Sequence, residues 1–368
     1  MLERWTSGGD ARVIRLFKVA MAPEAEQAVA GVLASGFIGQ GPKVEEFERA
    51  FGEMVDAPYP PLSTNSCTSA LDLALHLIGV GPGDEVISTP MTCTASNGVI
   101  VNRGARIVWA DVDPLTGLIS PDDVERKVTP RTRAIMAVDW GGKPCDYNAL
   151  KFCEIPVIED AAHAFLATIG GESVARVGGD YVCWSFQAIK HLTTGDGGAL
   201  LAPENQMERG RLLRWYGLDR RSSTSFRCAQ EITEAGFKYH MNDIAAAIGL
   251  ANLQLAKDNV ARQRANALYY DESSDPESAC WLHTLLVPER DSFIRGLAAR
   301  GIEASPVHSR NDTQPAFRFP SGELPGVDYF AAHEVAVPVG WWLTNEERER
   351  VSGEVRGVRE VEEILGHA

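Results

Sequence analysis

Lys190 lies in a stretch, YVCWSFQAIKHLTTGDGG, whose residue types suit covalent chemistry. A strand-like run and Ser185 precede it, and Gly195, Gly197 and Gly198 follow it. Glycines let the backbone turn tightly and approach a ligand closely. A lysine at such a turn can form a Schiff base with a carbonyl cofactor if its surroundings lower the pKa of the ammonium group. Alone, this pattern is more often a solvated surface lysine, so the interpretation needs a second group.

Asp160, in PVIEDAAHA, is that second group. The run Pro156–Asp160 predicts a strand with Asp160 at its carboxyl end, where open α/β sheets bind ligands. A carboxylate opposite the nitrogen of a pyridine cofactor such as pyridoxal 5'-phosphate (PLP) keeps that nitrogen protonated, so the ring can accept electrons. Asp160 could equally cap the next helix. His163, three residues on, could face the ring or fill the core.

A PLP site also needs a place for the phosphate, and NSCTSALDLALHLIGV offers one. Small polar residues begin an apolar helix there, and the amides and dipole at a helix N-terminus attract an anion. The candidates are the amides of Cys67 and Thr68, the Thr68 hydroxyl, and Ser185 from the lysine segment. Helix caps are common, so this signal is weak alone. The three segments together predict a PLP site.

The elements that must position these residues alternate along the chain. The predicted helices Thr68–Ile78 and Pro121–Lys127 lie between short apolar runs, several of them apolar on both faces as in strands covered by helices on each side. This alternation predicts an α/β fold with a largely parallel sheet. The predicted strands are Glu85–Thr89, Arg106–Val112, Arg133–Asp139, Pro156–Asp160, Tyr181–Phe186 and Gly198–Ala202.

The alternation of short apolar runs and helical patterns ends at about Ile244. One long helix is predicted from there, followed by a strand-like WLHTLLVP, a helix around Ser292–Arg300 and a last helix near Thr344, whose spacing to Glu347 fits a capping box. We therefore predict two domains. Residues 1–255 form an N-terminal segment and a large PLP-binding domain, and residues 256–368 form a small C-terminal domain.

Composition excludes several classes of protein. Lys and Arg total 35 against 50 Asp and Glu, which gives a formal net charge of −15 and disfavours nucleic acid as a partner. The cysteines and histidines show no metal-binding spacing, so no metal is expected. There is no apolar signal region and no stretch near 18 apolar residues, so we expect a cytoplasmic protein without a membrane partner.

At five places in the same order, the chain resembles the DegT/DnrJ/EryC1/StrS family of sugar aminotransferases, which are PLP enzymes of fold type I. The family's N-terminal signature corresponds to FIGQGPKVEEFERAF, its phosphate segment to NSCTSALDLAL and its pyridine-nitrogen segment to VIEDAAHA. Its lysine segment corresponds to SFQAIKHLTTGDGG, and the stretch after it to GFKYHMNDIAAAIGLANLQL. The likeness spans residues 37–255 and recurs weakly in RGIEASPVH and AVPVGWWLT. It implies a mostly parallel central sheet with helices on both faces and a smaller C-terminal α/β domain.

The resemblance also implies what the residues do. Lys190 would hold PLP as a Schiff base and carry protons, Asp160 would face the pyridine nitrogen, and His163 would lie near the ring face or its hydroxyl. Thr68 and Ser185 would bind the phosphate. The enzyme would move an amino group, by family habit from glutamate, to a keto-sugar, most simply a nucleotide-linked 3- or 4-keto-deoxysugar for deoxyamino sugar biosynthesis.

A second subunit often completes the phosphate site in such enzymes, from the segment that matches KYHMND. His240 occupies that position and Asn242 is the reserve candidate, so the resemblance implies a homodimer with a shared active site. His240 could also be a residue at the start of a helix with no ligand.

Three departures from the family limit what can be carried over. Members usually have an aromatic residue stacked on the cofactor where this chain has Cys93, and a thiol gives less stacking. Cys67 stands where glycine is usual, which matters little if its amide does the binding. The connections DYNALKFCEIP and YYDESSDPESACW also look shorter than in the family and could alter substrate access.

Other functions remain open. A PLP-dependent sugar dehydratase of the same family replaces the lysine, typically with histidine, and His191 is adjacent to Lys190. The spacing from Ser185, however, aligns Lys190 and not His191 with the position of the family's lysine. The same site could aminate a cyclitol or another cyclic ketone. A binding or regulatory protein that keeps the fold without turnover is a third possibility, although a pure binder has no need of an electron sink.

Overall fold

The computed structural model describes residues 13–151, 154–221 and 229–366, and side chains to 357. The strands are β1 (Leu62–Thr64), β2 (Glu85–Ser88), β3 (Arg106–Trp109), β4 (Thr132–Val138), β5 (Val157–Asp160), β6 (Thr168–Ile169), β7 (Glu172–Ser173), β8 (Tyr181–Ser185), β9 (Gly198–Leu201), β10 (His283–Leu286) and β11 (Glu334–Val337). The helices are α1 (Ala25–Ser35), α2 (Pro42–Met54), α3 (Cys67–Ile78), α4 (Thr94–Asn102), α5 (Pro121–Lys127), α6 (Tyr147–Leu150), α7 (Val174–Val177), α8 (Glu204–Leu213), α9 (Asp243–Tyr270), α10 (Arg290–Ala299), α11 (Pro325–His333) and α12 (Asn345–Gly366).

Seven strands form the central sheet, in the order β1-β9-β8-β5-β4-β2-β3. All run in one direction except β9, which is antiparallel to both β1 and β8. The predicted α/β class with a largely parallel sheet is therefore confirmed. The predicted strand Arg106–Val112 is too long, because Val112 leaves the sheet and pairs with Ile119 instead. The short connection after β4 also contains one helical turn, α6; its residues 152 and 153 lie outside the described part of the chain.

Hydrophobic cores lie on both faces of the sheet, which explains why its strands are largely apolar. Cys183 and Leu200 point into one core with α3 and α4. Val182, Trp184 and Ala199 point into the other, which is completed by α2 and α9. Alternate residues of a strand face opposite sides, so most positions are apolar in a strand that is covered on both sides.

Two of the segments noted in the sequence meet where α2 and α9 begin. The carboxylate of Asp243, the first residue of α9, accepts hydrogen bonds from the amides of Gly41 (2.7 Å), Lys43 (3.2 Å) and Val44 (3.2 Å). These amides have no partner within α2 because they belong to its first turn. Gly41 is required there, since a Cβ would lie 2.6 Å from the Asp243 carboxylate. The GQGPKV segment thus ties the N-terminal part of the chain to the start of α9.

A third core belongs to the C-terminal part. It gathers residues of β10, β11, α10 and α12, together with Ile14 and the end of α9. The capping box is confirmed, because the Thr344 amide donates to the Glu347 carboxylate and the Glu347 amide to the Thr344 hydroxyl. The domain boundary at residue 255 stays a prediction; it falls inside α9, which contributes both to the core behind the central sheet and to the C-terminal core. Within the described ranges, no helix is both long and apolar enough to cross a membrane.

Candidate active site

A cavity of about 470 Å³ opens at the carboxyl ends of three parallel strands. Its lining includes the last residues of β4, β5 and β8, which are Val138, Asp160 and Ser185. This is where parallel sheets bind ligands, and the volume is in the range of small-molecule sites. Seven of the predicted site residues line it: Cys67, Thr68, Cys93, Asp160, His163, Ser185 and Lys190.

Lys190 projects into this cavity from the loop between β8 and β9. Its Nζ lies 3.4 Å from the centre of the Trp281 ring. Burial lowers the pKa of the Lys190 ammonium group to about 8, although the nearby negative charge of Asp160 acts in the opposite direction. With a pKa of about 8, roughly a tenth of the Lys190 side chains are neutral amines at pH 7, far more than for an ordinary lysine, and the neutral amine is the form that attacks a carbonyl.

Asp160 is fixed by hydroxyl and amide donors. The Ser96 hydroxyl donates to Oδ2 at 2.6 Å and the Ala162 amide to Oδ1 at 3.2 Å. Burial raises the pKa of Asp160, and the Ser96 hydrogen bond and the charge of Lys190 oppose that rise. The carboxylate therefore lies buried in the cavity wall, and a cationic group bound there would favour its ionised form.

The N-terminus of α3 forms another part of the wall. Ser66 caps the helix by accepting the Ser69 amide at 3.1 Å, which leaves the first helical residues, Cys67 and Thr68, beside the cavity. Gly198 packs against this turn, and a Cβ on it would lie 2.5 Å from the Cys67 nitrogen. We expected the glycines to approach a ligand; Gly198 instead lets β9 approach the helix N-terminus. The N-terminus of α3 therefore borders the cavity, and the amides and dipole of a helix N-terminus attract anions.

Aromatic residues cover the remaining side. The rings of His163 and Trp281 stack with centres 3.9 Å apart, and Phe17 stacks on Trp281 at 5.1 Å. Burial lowers the pKa of His163 well below its usual value and that of His308 to about 4. Both imidazoles are therefore neutral and can exchange hydrogen bonds without carrying charge.

The other predicted residues lie elsewhere. Asn242 caps α9 by accepting the Ala245 amide at 2.9 Å, and neither it nor His240 lines the cavity of this chain. The His240 ring packs on Trp215, with centres 3.4 Å apart, and burial lowers its pKa to about 4. Their expected contact is with a second subunit, which a single chain does not contain. Cys93, exposed and at the N-cap of α4, does line the cavity.

The chain matches the DegT/DnrJ/EryC1/StrS aminotransferase family over residues 20–356. It belongs to that family. The crystal structure of AtS13 from Actinomadura melliaura is 40% identical, with a TM-score of 0.89 over 95% of this chain and 100% of that one. The sugar aminotransferase CalS13 from Micromonospora echinospora is 36% identical, with a TM-score of 0.87 over 94% and 99%. Spr1654 from Streptococcus pneumoniae, solved in its PLP form, is 26% identical, with a TM-score of 0.85 over 95% and 99%.

The enzyme is therefore a PLP-dependent aminotransferase of fold type I, as the sequence resemblance predicted. The described residues fit the cofactor, because Lys190, Asp160 and the N-terminus of α3 face one cavity. When bound, PLP supplies an aldehyde that exchanges amino groups and a ring that accepts electrons.

Sequence reasoning missed several residues of the cavity, and four of them contact the predicted site residues or lie beside them. Ser96 lies inside the segment TPMTCTASN, but nothing in the sequence links it to Asp160. His308 lies in RGIEASPVH, which was noted only as a weak resemblance. Phe17 and Trp281 carried no signal, because each is a single aromatic residue far along the chain from the lysine segment.

Proposed function

We propose that this enzyme transfers an amino group from glutamate to a nucleotide-linked 3- or 4-keto-deoxysugar, as a cytoplasmic homodimer with a shared active site. The observation that carries the proposal is the convergence of Lys190, Asp160, Thr68 and Ser185 on one cavity. The sugar part rests on relatives, since CalS13 from Micromonospora echinospora is described as a sugar aminotransferase.

Lys190 is the proposed catalytic residue. Its ε-amine would hold the cofactor aldehyde as a Schiff base with loss of water and, once the amino donor has displaced it, would accept the proton of the substrate carbon and return it. A pKa near 8 suits this work, because the amine must both accept and return a proton near neutral pH.

Asp160 and the other polar groups hold the cofactor. Asp160 pairs with the ring nitrogen, held in place by Ser96. Thr68 and Ser185 take the phosphate together with the amides of Cys67 and Thr68 at the start of α3. The neutral His163 lies at the ring face or its hydroxyl, and Cys93 packs near the cofactor without the stacking that an aromatic residue provides.

His240 is proposed to complete the phosphate site of the partner subunit, with Asn242 as the reserve. The segment that carries His240 runs beside the end of β1, because Thr64 pairs with His240 and the Asn65 amide donates to the Tyr239 carbonyl at 2.6 Å. His240 therefore lies beside the end of the strand that leads into the phosphate segment. With a pKa of about 4 its ring is neutral, so it would bind the phosphate by a hydrogen bond.

The dehydratase alternative loses support from the position of His191. Its Nε2 lies 3.0 Å from the Ala279 carbonyl, and His191 is not part of the cavity wall, whereas Lys190 is. Amination of a cyclitol or another cyclic ketone would use the same groups. Only assays with different acceptors separate it from sugar amination.

The test is a two-step assay of purified protein loaded with PLP. Adding glutamate should convert the visible absorbance of the bound cofactor to that of its amino form, and adding a nucleotide-linked keto-sugar should reverse this and yield an amino-sugar detectable by mass spectrometry. Lys190→Ala should reduce turnover at least about 10³-fold. A protein that binds PLP but is never converted by any amino donor would be a binding protein.

The shared site has its own test. Light scattering should show a dimer, and His240→Ala should weaken cofactor binding by about tenfold, the effect of one hydrogen bond to a charged group. Mixed dimers of Lys190→Ala and His240→Ala subunits, formed by refolding together, should contain one site with both residues intact. At a PLP concentration too low to saturate the His240→Ala variant, their failure to regain activity above either variant would argue against a shared site.

A further inference from the structure

We propose that the segment Ala279–Trp281 is a clamp on the lysine loop, and that Trp281 is a positioning residue whose indole face holds the ε-amine of Lys190 whenever the cofactor does not. This inference rests on the proposed role of Lys190 and adds to it a residue from outside the large sheet.

The clamp forms hydrogen bonds with both sequence neighbours of Lys190. The indole Nε1 of Trp281 donates to the Ile189 carbonyl at 3.1 Å. On the other side, Nε2 of His191 donates to the Ala279 carbonyl at 3.0 Å. Lys190 is thus held between two hydrogen bonds to one short segment, and its backbone has little freedom to turn the side chain out of the cavity.

The segment itself is held against the main body of the enzyme. The Ala279 amide donates to the Gly142 carbonyl at 2.9 Å, and the Leu282 amide donates to the Gly141 carbonyl at 3.1 Å. Both glycines follow β4, so the clamp is anchored to the central sheet. The clamp therefore holds the lysine loop at a fixed position relative to the sheet.

The indole ring is locked in orientation as well as in place. Trp281 is only 5% exposed, and its ring stacks with those of Phe17 and His163. The ring also contacts Nζ of Lys190, which lies 3.4 Å from the ring centre. An ammonium group over the face of tryptophan is attracted by the negative charge of the π-system.

This attraction has a consequence for the chemistry. Burial favours the neutral amine, whereas the indole face and Asp160 favour the ammonium form, so the proton on Lys190 is held in balance. An amine released by the amino donor would return to the indole and stay within reach of the reacting carbon. Cys93 supplies no aromatic face to the cavity, and among the described residues Trp281 is the one whose ring lies against the Lys190 amine.

The test measures the amine itself in the full-length, cofactor-free protein. Acetic anhydride is applied over a pH range that brackets about 8, and acetylation of the Lys190 peptide is quantified by mass spectrometry. Trp281→Leu should lower the apparent pKa of Lys190 by roughly 0.5 to 1, the size of a partly buried cation–π contact. Trp281→Phe, whose ring is a weaker partner, should lower it by less.

Trp341→Leu is the matched control, because Lys18 lies over that ring at 5.7 Å outside the cavity; the Lys190 profile should not change. A folded Trp281→Leu protein with an unchanged or higher Lys190 pKa overturns the proposal. If that variant does not fold, the Phe variant decides by the same criterion. A wild-type protein that never binds PLP would instead refute the proposed function and leave these profiles to judge the clamp.

With PLP bound, Trp281→Phe and Trp281→Leu should slow the half-reaction with glutamate progressively, up to about tenfold, at unchanged donor affinity. A rise in KM without a change in kcat would instead mean that Trp281 contacts substrate, which would contradict the positioning role.

Discussion

Glu159 and Asp160 are neighbours at the end of β5, both are buried, and they have different surroundings. Asp160 faces the cavity, where the Ser96 hydroxyl donates to it at 2.6 Å and Lys190 is nearby. Glu159 points to the other side of the strand, where its carboxyl group meets Asp139 and accepts the Gly179 amide at 2.6 Å. Asp139 in turn accepts the Tyr147 hydroxyl, also at 2.6 Å.

Unlike Asp160, the acids Glu159 and Asp139 each have a carboxylate oxygen without a hydrogen-bond donor in the described part of the chain. Asp139 Oδ2 and Glu159 Oε1 have no donor among the described residues, so a proton shared between the two acids would satisfy both. Burial raises the pKa of Asp139 to about 6 and that of Glu159 well above its usual value. Burial alone therefore does not distinguish the candidate cofactor-binding Asp160 from Glu159. What distinguishes Asp160 is that it lies at an open cavity with a lysine nearby.

The largest effect should follow from removing the charge that faces the cavity. Asp160→Asn should lower kcat by about 10³-fold, because an amide does not keep the ring nitrogen of the cofactor protonated. Glu159→Gln makes the equivalent change one residue earlier and should leave kcat within about threefold. Steady-state rates of both loaded variants test this. Equal losses would show that the two faces of β5 do not differ as argued.

The two hydroxyl donors sharpen the comparison. Ser96→Ala should lower cofactor affinity or turnover about tenfold with little change in unfolding free energy, whereas Tyr147→Phe should cost about 1.5–3 kcal/mol of stability and leave turnover unchanged. Denaturant unfolding and cofactor titration on each variant separate the outcomes. Loss of activity in Tyr147→Phe at full stability would mean that Asp139 acts on the site.

The acid pair should make stability depend on pH. A carboxyl group whose pKa is raised in the folded state stabilises the fold fully below its unfolded pKa, and this is lost as pH rises through the folded pKa. For Asp139 that window ends near 6, and for Glu159 it lies higher. The Tm of the wild type should therefore fall by a few degrees between about pH 5 and 8, and that of Glu159→Gln should fall less. Glu125→Gln, on the exposed side of α5, is the control.

The smallest effect concerns the cavity face that lacks an aromatic residue. Cys93→Phe should tighten cofactor binding by about threefold to tenfold through stacking. Cys93→Ser should change it by less than about twofold. Weaker binding in the Phe variant, measured by cofactor titration, would mean that the space beside Cys93 is needed for substrate.

The central sheet and the cofactor segments were predictable because their signals are local. Runs of apolar residues indicate covered strands, and the residue at the carboxyl end of such a strand faces the ligand edge. Lys190, Asp160 and the start of α3 could thus be found from short segments. The exact strand ends could not, since the pairing of Val112 with Ile119 depends on a turn that the run of apolar residues does not reveal.

The sequence by itself determined the order of elements and identified Lys190, Asp160 and the start of α3 as candidates for one site, because the signal for each lies within a dozen residues; all three line the same cavity. Tertiary structure alone decided that Asp160, and not the adjacent Glu159, accepts the Ser96 hydroxyl at the cavity. It also decided that Trp281 contacts Lys190. Those contacts join residues far apart in the chain. They exist only once the sheet has brought its strand ends together and the C-terminal part has packed against them.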